Sequence, residues 1–268
     1  MHVHFLDPYR PRSSPIHTLD ARIKLILAGA FILTAALAPN GAWPLYVLLF
    51  ALVYSAELIS DLGPFYVLRR AVLALPFVLA ALPLIFTAPG PRLYLLHLGA
   101  ISIPLSEAGV VRFLSVSLKS WLSVQAAILL SACTSFPDLL VAMRALRVPR
   151  LLVAIIGLMW RYLFVLADEA LRLLRAREAR SGDSGDPRLK AGGTLTWRAR
   201  VAGGMAGSLF LRAFERSDRI YAAMVARGYD GEPRSLSVPQ APPVQWALLA
   251  AALLLLAALL ALALLFWA

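Results

Sequence analysis

Two short segments hold the residues best placed to do chemistry. Glu178-Ala179-Arg180-Ser181-Gly182 and Val225-Ala226-Arg227-Gly228-Tyr229 each put an arginine at the end of a helical stretch, followed by a small residue. Two readings fit that pattern. A cation near a helix C-terminus with glycine just beyond is ordinary capping. A guanidinium at a helix tip can also form a bidentate pair with a carboxylate held in a partner's groove. Spacing alone leaves both open.

The rest of the chain offers little other chemistry. It has no GxxxxGK[ST] loop and no carboxylate or His/Cys cluster inside its apolar runs. No nucleophile–base pair or metal-ligand spacing is evident, so no cofactor and no catalytic residue are expected. His2, His4 and His17 crowd the start, but their spacing makes a poor metal site. The single cysteine, Cys133, excludes an intrachain disulfide and reads as a small buried apolar residue.

The elements that must position those arginines follow from composition. The chain is 60% hydrophobic and only 15% charged, which places it among membrane proteins. Its formal charge of +11 suits anionic lipid headgroups or an acidic protein partner better than nucleic acid, given so much apolar content. Asp7 and Asp20 precede the first apolar run, an unusual leader for a signal peptide, so that run reads as a mature transmembrane helix. Spans are expected near 22–39, 43–60, 70–88, 108–133 and 244–268. Arg112 and Lys119 in the fourth span call for a side facing protein or the interface. Between the third and fourth spans, Leu93–Leu98 and Ala100–Leu105 flank Gly99 and read as a short extended hairpin or re-entrant excursion.

The stretch 134–243 contains no clean span and holds 17 of the 26 basic residues. The positive-inside rule then puts this stretch and the N-terminus in the cytoplasm and the C-terminus outside. Helices are expected near 136–147, 149–180 and 196–229. The first has Ser135 as N-cap and Pro137 in its opening turn. The second is apolar over Leu151–Ala167 except for Arg161, then alternates leucine with arginine. The third carries a stripe of Val201, Met205, Leu209, Ala213 and Ser217, then Ile220 and Met224. Gly203 and Gly207 form a GxxxG that would let another helix approach, with Ala154 and Gly157 of the second helix as partner; a small-residue patch under lipid is the alternative.

With these residues in view, the chain resembles the transmembrane coupling subunit (T component) of energy-coupling factor transporters, a branch of ABC importers. That family carries an Ala-Arg-Gly motif at the tip of each of two long cytoplasmic helices. Ala226-Arg227-Gly228 matches in full; Ala179-Arg180-Ser181 matches with serine for glycine. Ser14–Lys24 and Leu98–Ser106 look most like the cobalt-type branch, with nickel-type members close by. The resemblance implies an all-α polytopic fold of about five spans, with coupling helices crossing in an X. It implies two P-loop ATPase subunits docked on Arg180 and Arg227, and a separate substrate-binding membrane subunit. It further implies a multi-pass plasma-membrane location in a bacterium or archaeon, and cobalt supply for cobalamin biosynthesis. A stand-alone secondary transporter, with Glu57, Arg112 and Lys119 as candidate intramembrane groups, or a passive membrane scaffold, remains the alternative.

Overall fold

The computed structural model describes residues 8–72, 75–83, 85, 92–98, 101–180, 194–231 and 241–267. The chain divides into two compact units. One, residues 7–146 and 238–268, is a helical bundle; the other, within 147–237, is a pair of long helices. The described fold is all-α but for one small hairpin.

The bundle contains α1 (Pro15–Thr18), α2 (Ala21–Leu37), α3 (Trp43–Ile59), α4 (Pro64–Ala71), α5 (Leu75–Ala80), α6 (Glu107–Cys133), α7 (Phe136–Ala145) and α10 (Pro243–Trp267). Helix α2 is its axis, packing on α6, α7 and α10. Phe31, Ala35, Leu45, Leu49, Val53, Leu122, Ala126 and Leu256 interlock as the core, and Phe50 of α3 stacks on Trp121 of α6. Many leucines point outward, which a bilayer tolerates and water does not. Helices α6 and α10 are long and apolar enough to cross a membrane, and α3 is a shorter apolar helix.

Polar groups in this bundle mostly serve helix ends. The Asp20 carboxylate accepts from the Arg22 backbone N–H at the start of α2, and the Asp20 N–H donates to Gln245 Oε1 of α10 at 3.0 Å. At the other end of α2, Lys119 of α6 donates to the Ala38 carbonyl and to Asn40 Oδ1, so this cation neutralises a helix C-terminus. The adjacent turn needs a glycine: Gly41 has φ +85° and donates its N–H to Ser115 Oγ at 3.0 Å. Lys24 treats α6 similarly, donating to the Cys133 carbonyl at 2.9 Å.

Two regions differ from the sequence expectation or refine it. Among the described residues, the span expected over 70–88 holds the end of α4, the short helix α5 and turns at 81–83. Pro76 stands in the first turn of α5, where a missing N–H costs no helical bond, and Pro83 lies in the turns beyond its end. Residues 73–74, 84 and 86–91 lie outside the described set. The segment before α6 is a hairpin of β1 (Arg92–Leu98) and β2 (Ile101–Ser106), antiparallel with Leu98 opposite Ile101 and Leu96 opposite Ile103.

The second unit contains α8 (Arg150–Arg180) and α9 (Leu195–Ala226). Thr194 caps α9, its side chain accepting from the Trp197 N–H. Helix α8 also carries a stretch long and apolar enough to cross a membrane, although its residues stand where no clean span was expected. The cause is the uneven build of the helix, apolar to Ala167 and arginine-rich beyond.

Candidate functional site

The two arginine tips belong to the same unit, and each is positioned by its own helix end. Ala179 and Arg180 close α8, with Arg177 in the same last turn. Both are exposed. Ser181, third residue of the first motif, lies outside the described residues.

The second tip is resolved bond by bond. Arg227 is the C-cap of α9, and Gly228 follows at φ +79°. The Gly228 N–H donates to the Val225 carbonyl at 2.9 Å, and the Tyr229 N–H to the Met224 carbonyl at 3.0 Å. These bonds define a Schellman cap, whose reversed turn only glycine adopts without cost. The three letters of the motif thus have separate jobs. Ala226 ends the helix, Gly228 turns the chain back, and Arg227 between them is left on the outside of the turn. Among the described residues no carboxylate pairs with Arg180 or Arg227. Capping explains the glycine; it leaves both guanidiniums available.

The helices meet elsewhere than expected. Among the described residues, a Cβ built on Gly203, Gly204 or Gly207 would touch no heavy atom within 4 Å outside the helix's own nearby backbone. Gly203 and Gly207 are exposed on α9, while Ala154 of α8 is buried and Gly157 half-buried. The structure therefore does not bring Gly203 and Gly207 against Ala154 and Gly157. Open space at both glycines is the physical reason: the close approach that GxxxG permits is not used between α8 and α9.

What joins the helices is Glu169, a residue the periodicity did not single out. Its carboxylate accepts from Arg172 Nη2 of the same helix at 2.5 Å and from Arg212 Nη1 of α9 at 2.9 Å. An acidic residue amid the arginines of α8 was the available signal. The pairing of positions 169 and 212 was not, because no local spacing connects them. Along straight helices, Arg180 stands about 16 Å beyond the junction and Arg227 about 22 Å.

The α9 stripe of Val201, Met205, Leu209, Ala213, Ile220 and Met224 is half-buried, whereas Ser217 is exposed. Another face of α9 is apolar and exposed: Phe210, Phe214, Tyr221 and Val225, with exposures of 68%, 58%, 61% and 49%. The last of these adjoins the Arg227 tip. No described residue of α9 is buried.

Of the other candidate groups, His17 is engaged through both ring nitrogens, Nδ1 with Ser14 Oγ at 2.7 Å and Nε2 with the Arg10 carbonyl at 3.0 Å. Partial burial lowers its pKa, favouring the neutral ring. His2 and His4 lie outside the described residues. Among described residues no group of three or more His, Cys, Asp or Glu side chains could hold a metal ion. Lys119 is occupied as a helix cap, Arg112 is exposed near the start of α6, and Glu57 is buried near the end of α3.

Comparison with known proteins accords with these features. A family model described as cobalt transport protein matches residues 12–239. A cobalt transport protein of Rhodobacter capsulatus is 32% identical over 185 residues, covering 66% of this chain and 72% of that protein. An energy-coupling factor transporter transmembrane protein of Exiguobacterium sibiricum is 31% identical over 231 residues, covering 82% and 83%. A protein of the same description from Lacticaseibacillus paracasei is 27% identical over 236 residues, covering 84% and 85%.

Proposed function

The chain belongs to the cobalt transport protein family, and from that premise we propose that Arg180 and Arg227 are the contacts through which two P-loop ATPase subunits drive it. The protein is an energy-coupling transmembrane component of the cobalt-type energy-coupling factor class, a membrane protein and a transporter part. In this reading ATP hydrolysis belongs to the partner subunits, and a separate membrane subunit holds the cargo, cobalt. The motif residues Ala179, Arg180 and Ser181, and Ala226, Arg227 and Gly228, form the two docking tips.

The observation that carries the reading is the pair of exposed guanidiniums, each at the end of a long helix and without a carboxylate among the described residues. An acidic groove on each ATPase would supply the missing partner, and a bidentate pair would transmit direction as well as charge. The Glu169–Arg212 junction supports a lever. A rotation of about 10° there moves tips about 16 and 22 Å away by roughly 3 and 4 Å. Motion passed along α8 and α9 then reorients the cargo subunit. The same reading keeps the N-terminus and both tips on the cytoplasmic side of a bacterial or archaeal plasma membrane.

Charge reversal at both tips tests it. Arg180→Glu with Arg227→Glu should abolish ATPase association in pull-down and ATP-dependent cobalt uptake in proteoliposomes, because each new carboxylate would face buried acid. If association and uptake both survive, the tips are not the coupling contacts.

A further inference from the structure

A second concentration of positive charge lies within the bundle unit. The guanidinium carbon of Arg10 sits 4.0 Å from the centroid of the Tyr66 ring, and that of Arg70 sits 4.9 Å from it. Together with Arg69, Val72 and Pro76 they line a cleft of about 550 Å³. Among the described residues no carboxylate pairs with any of the three arginines. The Tyr66 hydroxyl is shielded from solvent and has no hydrogen-bond partner.

Three like charges around one cleft, two of them on one ring, repel each other, so holding them together needs a restraint or an anion. The backbone supplies part of the restraint. The Arg10 N–H donates to the Ala132 carbonyl at 3.0 Å, and its own carbonyl accepts from His17 Nε2. Arginines stacked on an aromatic face keep their N–H edges free, which suits the oxygens of a phosphate.

Helix α4 indicates where that phosphate comes from. Val67 and Ala71 bury against Ile128 of α6. Phe65, Leu68 and Val72 are left out at exposures of 83%, 48% and 57%, one helical face at i, i+3, i+7 spacing. A short helix with exposed large apolar residues beside arginines is built for the boundary between acyl chains and headgroups. A soluble phosphate would satisfy the arginines and leave that apolar face unexplained.

We propose that the Arg10–Tyr66–Arg69–Arg70 cleft binds the headgroup phosphate of an anionic phospholipid, while Phe65, Leu68 and Val72 lie among the acyl chains. The site is independent of the coupling role, since it needs only that the chain sits in a membrane. Its consequence is positional: α4 and the leader around Arg10 are pinned to the lipid surface by one bound headgroup.

The test is native mass spectrometry of the full purified chain titrated with phosphatidylglycerol or phosphatidylcholine. The wild type should retain phosphatidylglycerol in preference to phosphatidylcholine. Arg69→Gln, at an exposed position where folding is not at stake, should weaken that preference about five-fold, the worth of one cation near an anionic surface. Arg10→Gln, Arg69→Gln and Arg70→Gln together should weaken it on the order of a hundred-fold. Equal retention of the two lipids, or a preference untouched by either variant, would overturn the proposal. So would displacement of phosphatidylglycerol by millimolar inorganic phosphate, which would assign the cleft to a free anion.

Discussion

Replacing Gly228 by alanine isolates what the turn of the second motif contributes. The residue stands at φ +79°, and a Cβ added there meets no heavy atom within 4 Å. The substitution therefore introduces no clash with the rest of the protein, and its effect is the backbone cost of a left-handed residue, roughly 1–2 kcal/mol. That corresponds to a shift of about 5- to 30-fold in the local equilibrium between closed and frayed cap. The two bonds at stake are Gly228 N–H to Val225 O and Tyr229 N–H to Met224 O. Hydrogen exchange at the Tyr229 amide reads them directly, and protection should fall by that factor. The thermal midpoint of the chain should hardly move, because an exposed helix end frays without unfolding its surroundings. Asparagine, which tolerates this conformation, should recover much of the protection. ATPase association should weaken by no more than the same factor, since it loses only the fraction of molecules with the tip formed. Unchanged exchange at Tyr229 in the alanine variant, or an asparagine variant as poor as alanine, would refute the cap as the device that presents Arg227.

Three other perturbations bear on the framework. Glu169→Arg should separate α8 from α9, and adding Arg212→Glu should restore their proximity in a disulfide-crosslinking assay; failure of the double variant to recover would remove the junction from the mechanism. Lys119→Met leaves the Ala38 carbonyl at the end of α2 without its cation and should lower stability in detergent by about 1–2 kcal/mol, read as a drop in thermal midpoint. Burial depresses the His17 pKa below 6.5, so between that lowered value and 6.5 the unfolded leader binds more protons than the folded one. Leader packing should be intact above pH 6.5 and weaken as pH falls below it, seen as faster proteolysis around Arg12; His17→Gln should flatten that dependence.

Much of this protein is legible in its sequence because its signals are local. Apolar runs mark α2, α3, α6 and α10 by length alone, and the half-buried stripe of α9 follows its 3.6-residue period from Val201 to Met224. The arginine tips are equally local, since a helix end and the residue beyond it are contiguous in the chain. Legibility fails where local signals conflict. Residues 70–88 are apolar enough for one span, yet the helix described within them runs only over Leu75–Ala80, with Pro76 in its first turn and Pro83 beyond its end. Helix α8 is ambiguous for a related reason: an apolar half and an arginine-rich half share one continuous helix, so neither composition nor charge describes the whole.

What the sequence by itself determined is therefore most of the helices, their membrane character and the place of Arg180 and Arg227 at the ends of two of them. What only the tertiary structure decided is which distant groups touch. Small residues at Gly203 and Gly207 make a close crossing possible, but open space lies over both, and the junction formed is Glu169 with Arg212. Likewise Arg10 and Arg70, sixty positions apart, share one tyrosine ring. Periodicity governs which face a side chain occupies. Partner choice across 43 or 60 residues depends on how the helices are set in three dimensions, which no repeat in the chain encodes.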